Sequence, residues 1–182
     1  MGGVQVYHAA LNCVVNEDLN KEWGRYLEQN NRHVEVLRGL CETFGLDPEE
    51  ETPGRQVVRR LEKSLVKAIE TSMESGEPQA AEIVACERMV LAETKDHLNL
   101  EHLAQCAEKA KGEKARALKE ACEEIEEQED ERLYHSKGWC RELWIASLGM
   151  QAVLSPPEEE KDVKTAIVAA RAQKARAATL KK

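Results

Sequence analysis

Apolar residues recur along most of this chain at intervals of three and four, the spacing that lines one face of an α-helix. Leu19, Trp23, Tyr26, Val34, Leu37, Cys41 and Phe44 form one stripe. Val58, Leu61, Leu65, Ile69 and Met73 form a second, and Leu118, Cys122, Ile125, Ser136, Cys140 and Leu143 a third. Between these last two, Ile83, Val84, Met89, Val90, Leu91, Leu98, Leu100 and Leu103 cover most of a helix's circumference, which predicts the most buried helix of the chain. Proline and glycine punctuate the pattern at Gly45-Leu46-Asp47-Pro48, Thr52-Pro53-Gly54, Gly76-Glu77-Pro78, the isolated Gly112 and Ser155-Pro156-Pro157. The reading is four main helices over about 16–44, 54–75, 78–110 and 113–148, a fifth over about 158–179, and a short extra helix within residues 4–15. Short connections predict that consecutive helices pack as antiparallel neighbours. The expected fold is all-α: an antiparallel four-helix bundle over residues 1–154, followed by a basic helical tail over 155–182. A coiled-coil rod is not expected, because sustained a/d heptads flanked by charged e and g positions are missing.

Composition agrees with long helices. Ala, Leu, Glu, Lys and Arg are abundant, while aromatics make up 4% of the chain. No run approaches the roughly 20 uncharged apolar residues of a membrane span, so no membrane partner is expected. The first residues carry no basic-then-apolar leader pattern, and a cytoplasmic location is expected. The net charge of −8 is unevenly spread. Residues 161–182 hold seven Lys/Arg against Asp162, which leaves residues 1–160 at −14. An acidic body repels phosphates, so nucleic acid is not an expected partner, and the tail reads as a solvated helix or an intersubunit contact. The six cysteines are far apart, lack a Cys-x-x-Cys pair and mostly occupy apolar positions of the helical pattern. They are expected to be reduced, small core residues.

Candidate chemistry lies where polar groups interrupt the stripes. The stripe of the helix over 113–148 should continue through positions 129, 132 and 136, yet the run there is Glu126-Glu127-Gln128-Glu129-Asp130-Glu131-Arg132. At 100° per residue, Glu129 points at the centre of the apolar face, Glu126 and Arg132 flank it, and Glu127 and Glu131 point away. A buried carboxylate is costly unless it is paired or binds a metal. The first long helix is interrupted in the same way by Asn30 and His33, whereas Glu28 faces the opposite side. The helix over 78–110 supplies Glu93 and His97, which share a face at i, i+4. A tight turn at Gly112 would set residues whose numbers sum to about 224 at one height, with Glu93 opposite Glu131 and His97 opposite Glu127. The two polar patches are thereby level. Glu and His in one bundle layer are the donors a non-haem iron or manganese site needs. The alternative is a solvated acidic face, with Arg132 neutralising Glu129 and His33 as a core histidine bonded to Tyr26 or a carboxylate.

The run Tyr26-Leu27-Glu28-Gln29-Asn30-Asn31-Arg32-His33-Val34-Glu35-Val36-Leu37, together with the Glu126–Glu131 cluster followed by Leu133, resembles ligand-bearing helices of the ferritin-like superfamily. The resemblance is to its small rubrerythrin-related, stress-associated bacterial members and covers about residues 16–148. It implies a Glu on two helices and Glu-x-x-His on the other two. Here the pattern is altered. Asn30 precedes His33, Glu129 follows Glu126, Asp96 follows Glu93 with His97 one residue later, and the helix over 54–75 offers only Glu62 and Glu70. A single metal, a remodelled site and a bundle that has lost its metal are all compatible with this pattern.

Two functional expectations follow. One is a ferritin-like protein holding iron or manganese at His33, Glu93, His97, Glu126 and Glu129, with a part in oxidative stress or metal handling. The other is a non-catalytic interaction or scaffold protein, a homodimer that uses Trp139, Trp144 and Leu148 as an apolar patch at one end. A hydrolytic or phosphate-handling enzyme is disfavoured by the absence of a Gly-rich phosphate loop or a nucleophile elbow.

Overall fold

The structure is a computed structural model that describes residues 2–156, 174 and 176–181. The described residues are helical, without strands: α1 (Gly2–Leu11), α2 (Glu17–Phe44), α3 (Pro53–Glu74), α4 (Pro78–Lys109) and α5 (Gly112–Ser147). The helix expected over 158–179 lies for the most part outside the described residues, although Lys174 and residues 176–179 are helical.

Local chemistry sets the helix ends. The side chain of Asn16 accepts the backbone N–H groups of Asp18 and Leu19, satisfying donors that the first turn of α2 leaves unpaired. Gly45, at φ 67°, closes α2 in the left-handed conformation that a residue with a Cβ resists. Thr52 caps α3 by accepting the Arg55 N–H at 3.1 Å, and Pro53 occupies the first helical position, where its missing N–H costs nothing.

The packing has an order that helix lengths alone do not announce. α4 and α5 pair most extensively, α3 lies on α4, and α2 lies on α5. Across the α4–α5 pair, Glu87 meets Trp144, Glu93 meets Arg132 and His97 meets Asp130, so the two helices run in opposite senses. α2 and α3, consecutive in sequence, do not touch. The short α1 stands between them and packs on α2, α3 and α4. Its residues Val6, Tyr7 and Ala10 are buried, so it belongs to the core rather than decorating it. The turn from α1 into α2 is tied to α4 by Glu82, a buried carboxylate that accepts the N–H groups of Val15 at 2.8 Å and Asn16 at 2.6 Å.

This order corrects two sequence expectations. Consecutive helices are neighbours except for α2 and α3, because the space between them at one end is taken by α1. The stripe on α3 is buried only at Ile69. Val58, Leu61 and Met73 are exposed, since ten residues of α1 are too short to cover a helix of 22. Likewise α4 exposes Leu91 and Leu98 and buries mainly small or flexible side chains, Ala81, Ala85, Cys86, Met89 and Ala92. Small residues let α4 lie close to three neighbours.

The apolar core falls into two parts. The larger gathers Tyr7, Leu19, Trp23, Tyr26, Ile69, Met89 and Trp139, and the smaller gathers Leu100, Cys122 and Ile125 with Val36 and Leu103. On α2, α4 and α5 alike, buried polar residues lie between these parts: Asn30 and His33, Glu93, and Glu129, Arg132 and Ser136. No helix among the described residues is long and apolar enough to cross a membrane.

Ile69→Ala should therefore cost about 2–4 kcal/mol of folding free energy in urea titration. Leu61→Ala, two turns away on the same stripe, should stay within about 0.5 kcal/mol.

Candidate functional site

The polar level between the two apolar parts is built around Arg132, whose side chain is fully buried. Its Nε donates to Glu93 Oε2 at 3.2 Å, and its Nη2 donates to Glu129 Oε1 and lies 3.3 Å from His33 Nδ1. Tyr7 on α1 donates its hydroxyl to the other oxygen of Glu93 at 2.7 Å. His33 Nε2 lies 2.8 Å from Gln128 Oε1, which can only accept, and His33 Nδ1 lies 3.2 Å from Glu129 Oε1. Four helices thus each contribute: α1 through Tyr7, α2 through His33, α4 through Glu93, and α5 through Gln128, Glu129 and Arg132. Asp96, one turn along α4 from Glu93, borders the same level. An added Cβ on Gly3 would lie 2.6 Å from Asn30 Nδ2 and 3.0 Å from Asp96 Oδ2. The first turn of α1 therefore lies against this level at a residue that has no side chain to obstruct it.

The electrostatics follow from burial and from who sits beside whom. Burial pushes the Glu93 carboxyl up to about 7, reinforced by Glu129 and Asp96 and opposed by Arg132. Burial, with Glu129 beside it, pushes Asp96 up to about 6. Glu129 lies below the usual carboxylate range, because the hydrogen bond from His33 and the charge of Arg132 outweigh its burial. Arg132 itself is raised, since Glu93 and Glu129 more than offset the burial that works against its charge. Tyr7 is raised well above a phenol's usual value by burial and by Glu93, and it stays a donor.

Of the five sequence-derived metal ligands, the structure brings three together. His33, Glu93 and Glu129 converge on Arg132. His97 and Glu126 lie on another face, lining an open groove of about 470 Å³ with Glu101, Asp130 and Tyr134. There His97 Nδ1 is 3.3 Å from Asp130 Oδ1 and its Nε2 is 3.5 Å from Glu101 Oε1. Glu93 faces Arg132 rather than Glu131, a shift of one residue from the expected pairing. Glu131 instead turns to Arg25 of α2 at 3.0 Å. The side chain of Glu127, expected opposite His97, lies outside the described residues. His33 bonds a carboxylate, as one alternative anticipated, while Tyr26 takes a different histidine, His135, at 2.7 Å.

The residues do not fit a divalent metal as they stand. Both oxygens of Glu93 are engaged, by Tyr7 and Arg132, and both ring nitrogens of His33 have partners. A guanidinium occupies the place where a cation would bridge the two carboxylates, and it would repel one. Among the described residues no group of three or more His, Cys, Asp or Glu is arranged to hold a metal ion. What the arrangement can do is neutralise and orient: one buried cation holds two buried anions from different helices. Sequence reasoning placed Arg132 at the flank of the stripe, in one alternative as the neutraliser of Glu129, and left Tyr7 out. The spacing of Val6, Tyr7 and Ala10 was the available signal that the first helix enters the core.

Comparison with protein-family models, with curated proteins and with solved structures finds no match to this chain.

Replacing Arg132 alone, as Arg132→Met, should cost about 3–5 kcal/mol, because Glu93 and Glu129 are left buried and uncompensated. A second outcome concerns pH. Glu93 binds its proton more tightly folded than unfolded, so between its ordinary value of 4.5 and about 7 the folded state is the better proton binder. Stability contributed there falls as pH rises. Urea titrations of the wild type between about pH 5 and 7.5 should show a loss that Glu93→Gln reduces by on the order of 1–3 kcal/mol, Asp96 keeping its own share below about pH 6.

Proposed function

We propose that this chain is an antiparallel four-helix bundle of the ferritin-like kind in which an internal arginine stands in the place of the metal, and that it acts as a non-catalytic helical interaction protein. The observation that carries this reading is Arg132, at 0% side-chain exposure and bonded to Glu93 and Glu129 at once. A reaction centre needs its reacting groups within reach of substrate. Glu93, at 0% exposure, has none, and its oxygens are already committed.

The interaction surface this reading favours is the C-terminal end of α5. Trp144 and Leu148 lie one turn apart on one face and are 44% and 64% exposed. Met150 and Leu154 follow, also exposed. The Trp144 indole donates to Glu87 of α4 at 3.0 Å, which anchors a large apolar ring at the surface. Trp139, first grouped with this patch, belongs to the core. Partly exposed tryptophan beside aliphatic side chains is the composition of an interface centre, and a homodimer through this end is the proposed assembly.

Two measurements on the full chain test the reading. Elemental analysis after incubation with ferrous iron or manganese should find no stoichiometric metal, and chelation should leave the melting temperature unchanged. Light scattering should find a dimer that Trp144→Ala with Leu148→Ser weakens at least about tenfold, as expected of an interface anchor. One or two iron or manganese ions per chain, lost in Glu129→Ala, would reinstate the metal-binding ferritin-like reading instead. A monomer at all concentrations would remove the dimer.

A further inference from the structure

The α4–α5 contact also holds two sulfurs that the polar level does not use. Cys86 of α4 is fully buried, and Cys140 of α5 is half-buried and packs against the same part of the core. Cys86 Sγ lies 3.8 Å from the carbonyl oxygen of Ser136, the residue one helical turn before Cys140. Within α5 that carbonyl points toward the backbone of Cys140, so the Cys86 sulfur stands beside the turn that carries Cys140. The pair spans two facing helices, one sulfur buried and the other half-buried. Cys106 is exposed, and Cys13 bonds backbone carbonyls at 3.2 and 3.9 Å.

We propose that Cys86 and Cys140 are a peroxide-oxidisable dithiol, in which Cys140 is the attacking sulfur and Cys86 the resolving one, closing to a disulfide that ties α4 to α5. The roles follow from the surroundings. Cys140 can be reached from solvent and Cys86 cannot. The neighbouring Cys140, with burial behind it, pushes the Cys86 thiol well above its usual value. Cys86 in turn lowers Cys140 against burial and Glu87, with Arg88 assisting.

The chemistry balances with a hydroperoxide as the oxidant. The Cys140 thiolate attacks one oxygen of hydrogen peroxide. The O–O bond breaks, a sulfenic acid forms on Cys140, and hydroxide leaves. The Cys86 sulfur then attacks the Cys140 sulfur. The S–O bond breaks, and the sulfenic oxygen leaves as water with the proton released from Cys86. The two sulfurs together lose two electrons and the peroxide gains two. The site is thus assigned as a reversible modification site on the helix pair that carries both Glu93 and Arg132.

The test is oxidation of the full chain with hydrogen peroxide, followed by blocking of free thiols, proteolysis and mass spectrometry. The expected product is one crosslink joining the peptides of Cys86 and Cys140, reversed by dithiothreitol. It should form about tenfold faster than oxidation of the exposed Cys106, as a thiolate-rich sulfur with a resolving partner requires. Cys86→Ala, which removes the resolving sulfur with little change in volume, should leave a sulfenic acid on Cys140 that dimedone traps. Cys140→Ser should abolish both products while its far-ultraviolet dichroism matches the wild type. Oxidation of Cys106 or Cys41 ahead of any Cys86–Cys140 crosslink would overturn the proposal, as would a crosslink that persists in a different pairing when Cys140 is replaced.

Discussion

A guanidinium with no exposure to water is among the least tolerable groups a protein can bury, and Arg132 is tolerated because two carboxylates and a histidine surround it. Its demands propagate outward. Glu93 must come from α4 at a fixed height, Glu129 lies one turn earlier on α5, and His33 must reach in from α2. Tyr7 then closes the second oxygen of Glu93 from α1. A helix that slid by a residue would leave a charge without its partner, so the polar level sets the register of four helices. The apolar parts on either side could accept several registers, because Ala, Met and Leu repack at little cost. Specificity resides in the charged level, while stability comes from the apolar parts beside it.

The second consequence is asymmetry. α1 fills one end of the space between α2 and α3 and is tied down there by Tyr7 and by the two backbone bonds to Glu82. Beyond it, α3 presents Val57, Val58 and Leu61 to solvent while its other end is held at Ile69. Few buried contacts hold the first half of α3, which lowers its cost of local opening. At the far end of α5, Glu142 is another buried carboxylate. It accepts the Val153 N–H at 2.7 Å and the guanidinium of Arg176, which brings part of the basic tail back onto the acidic body. Charge complementarity between tail and body, visible already as a surplus of one sign against the other, is here a specific contact.

What was legible in the sequence was what depends on local chemistry. Asn16, Thr52-Pro53 and Gly112 mark helix ends by capping and backbone freedom, and the helices begin there. The interruption of two stripes at His33 and Glu129 was legible because a charge on an apolar face is an anomaly at any resolution of reasoning. That the polar patches of α4 and α5 are level was legible too, from the turn at Gly112, to within one residue. Two things were not. Helix neighbours depend on which surfaces compete for the same space, and a ten-residue helix displaced α3 from α2 in a way no stripe records. The identity of the cation also stayed open. Glu93, Glu129 and His33 suit a metal or an arginine equally by residue type, and the inward path of the Arg132 side chain from the edge of its stripe is not written in helical spacing. His97 and Glu126, drawn into the same set by helical spacing, line the open groove on another face of the α4–α5 pair.

The measurement that bears most directly on this account is a double-mutant cycle between Glu93 and Arg132, with unfolding free energies for the wild type, Glu93→Gln, Arg132→Met and the pair together. If Arg132 is the cation that compensates Glu93, the two changes are strongly non-additive. The double variant should then be more stable than Arg132→Met alone, with a coupling energy of about 1–3 kcal/mol. Additive costs would contradict it, for they would mean that Glu93 is neutralised by something other than Arg132.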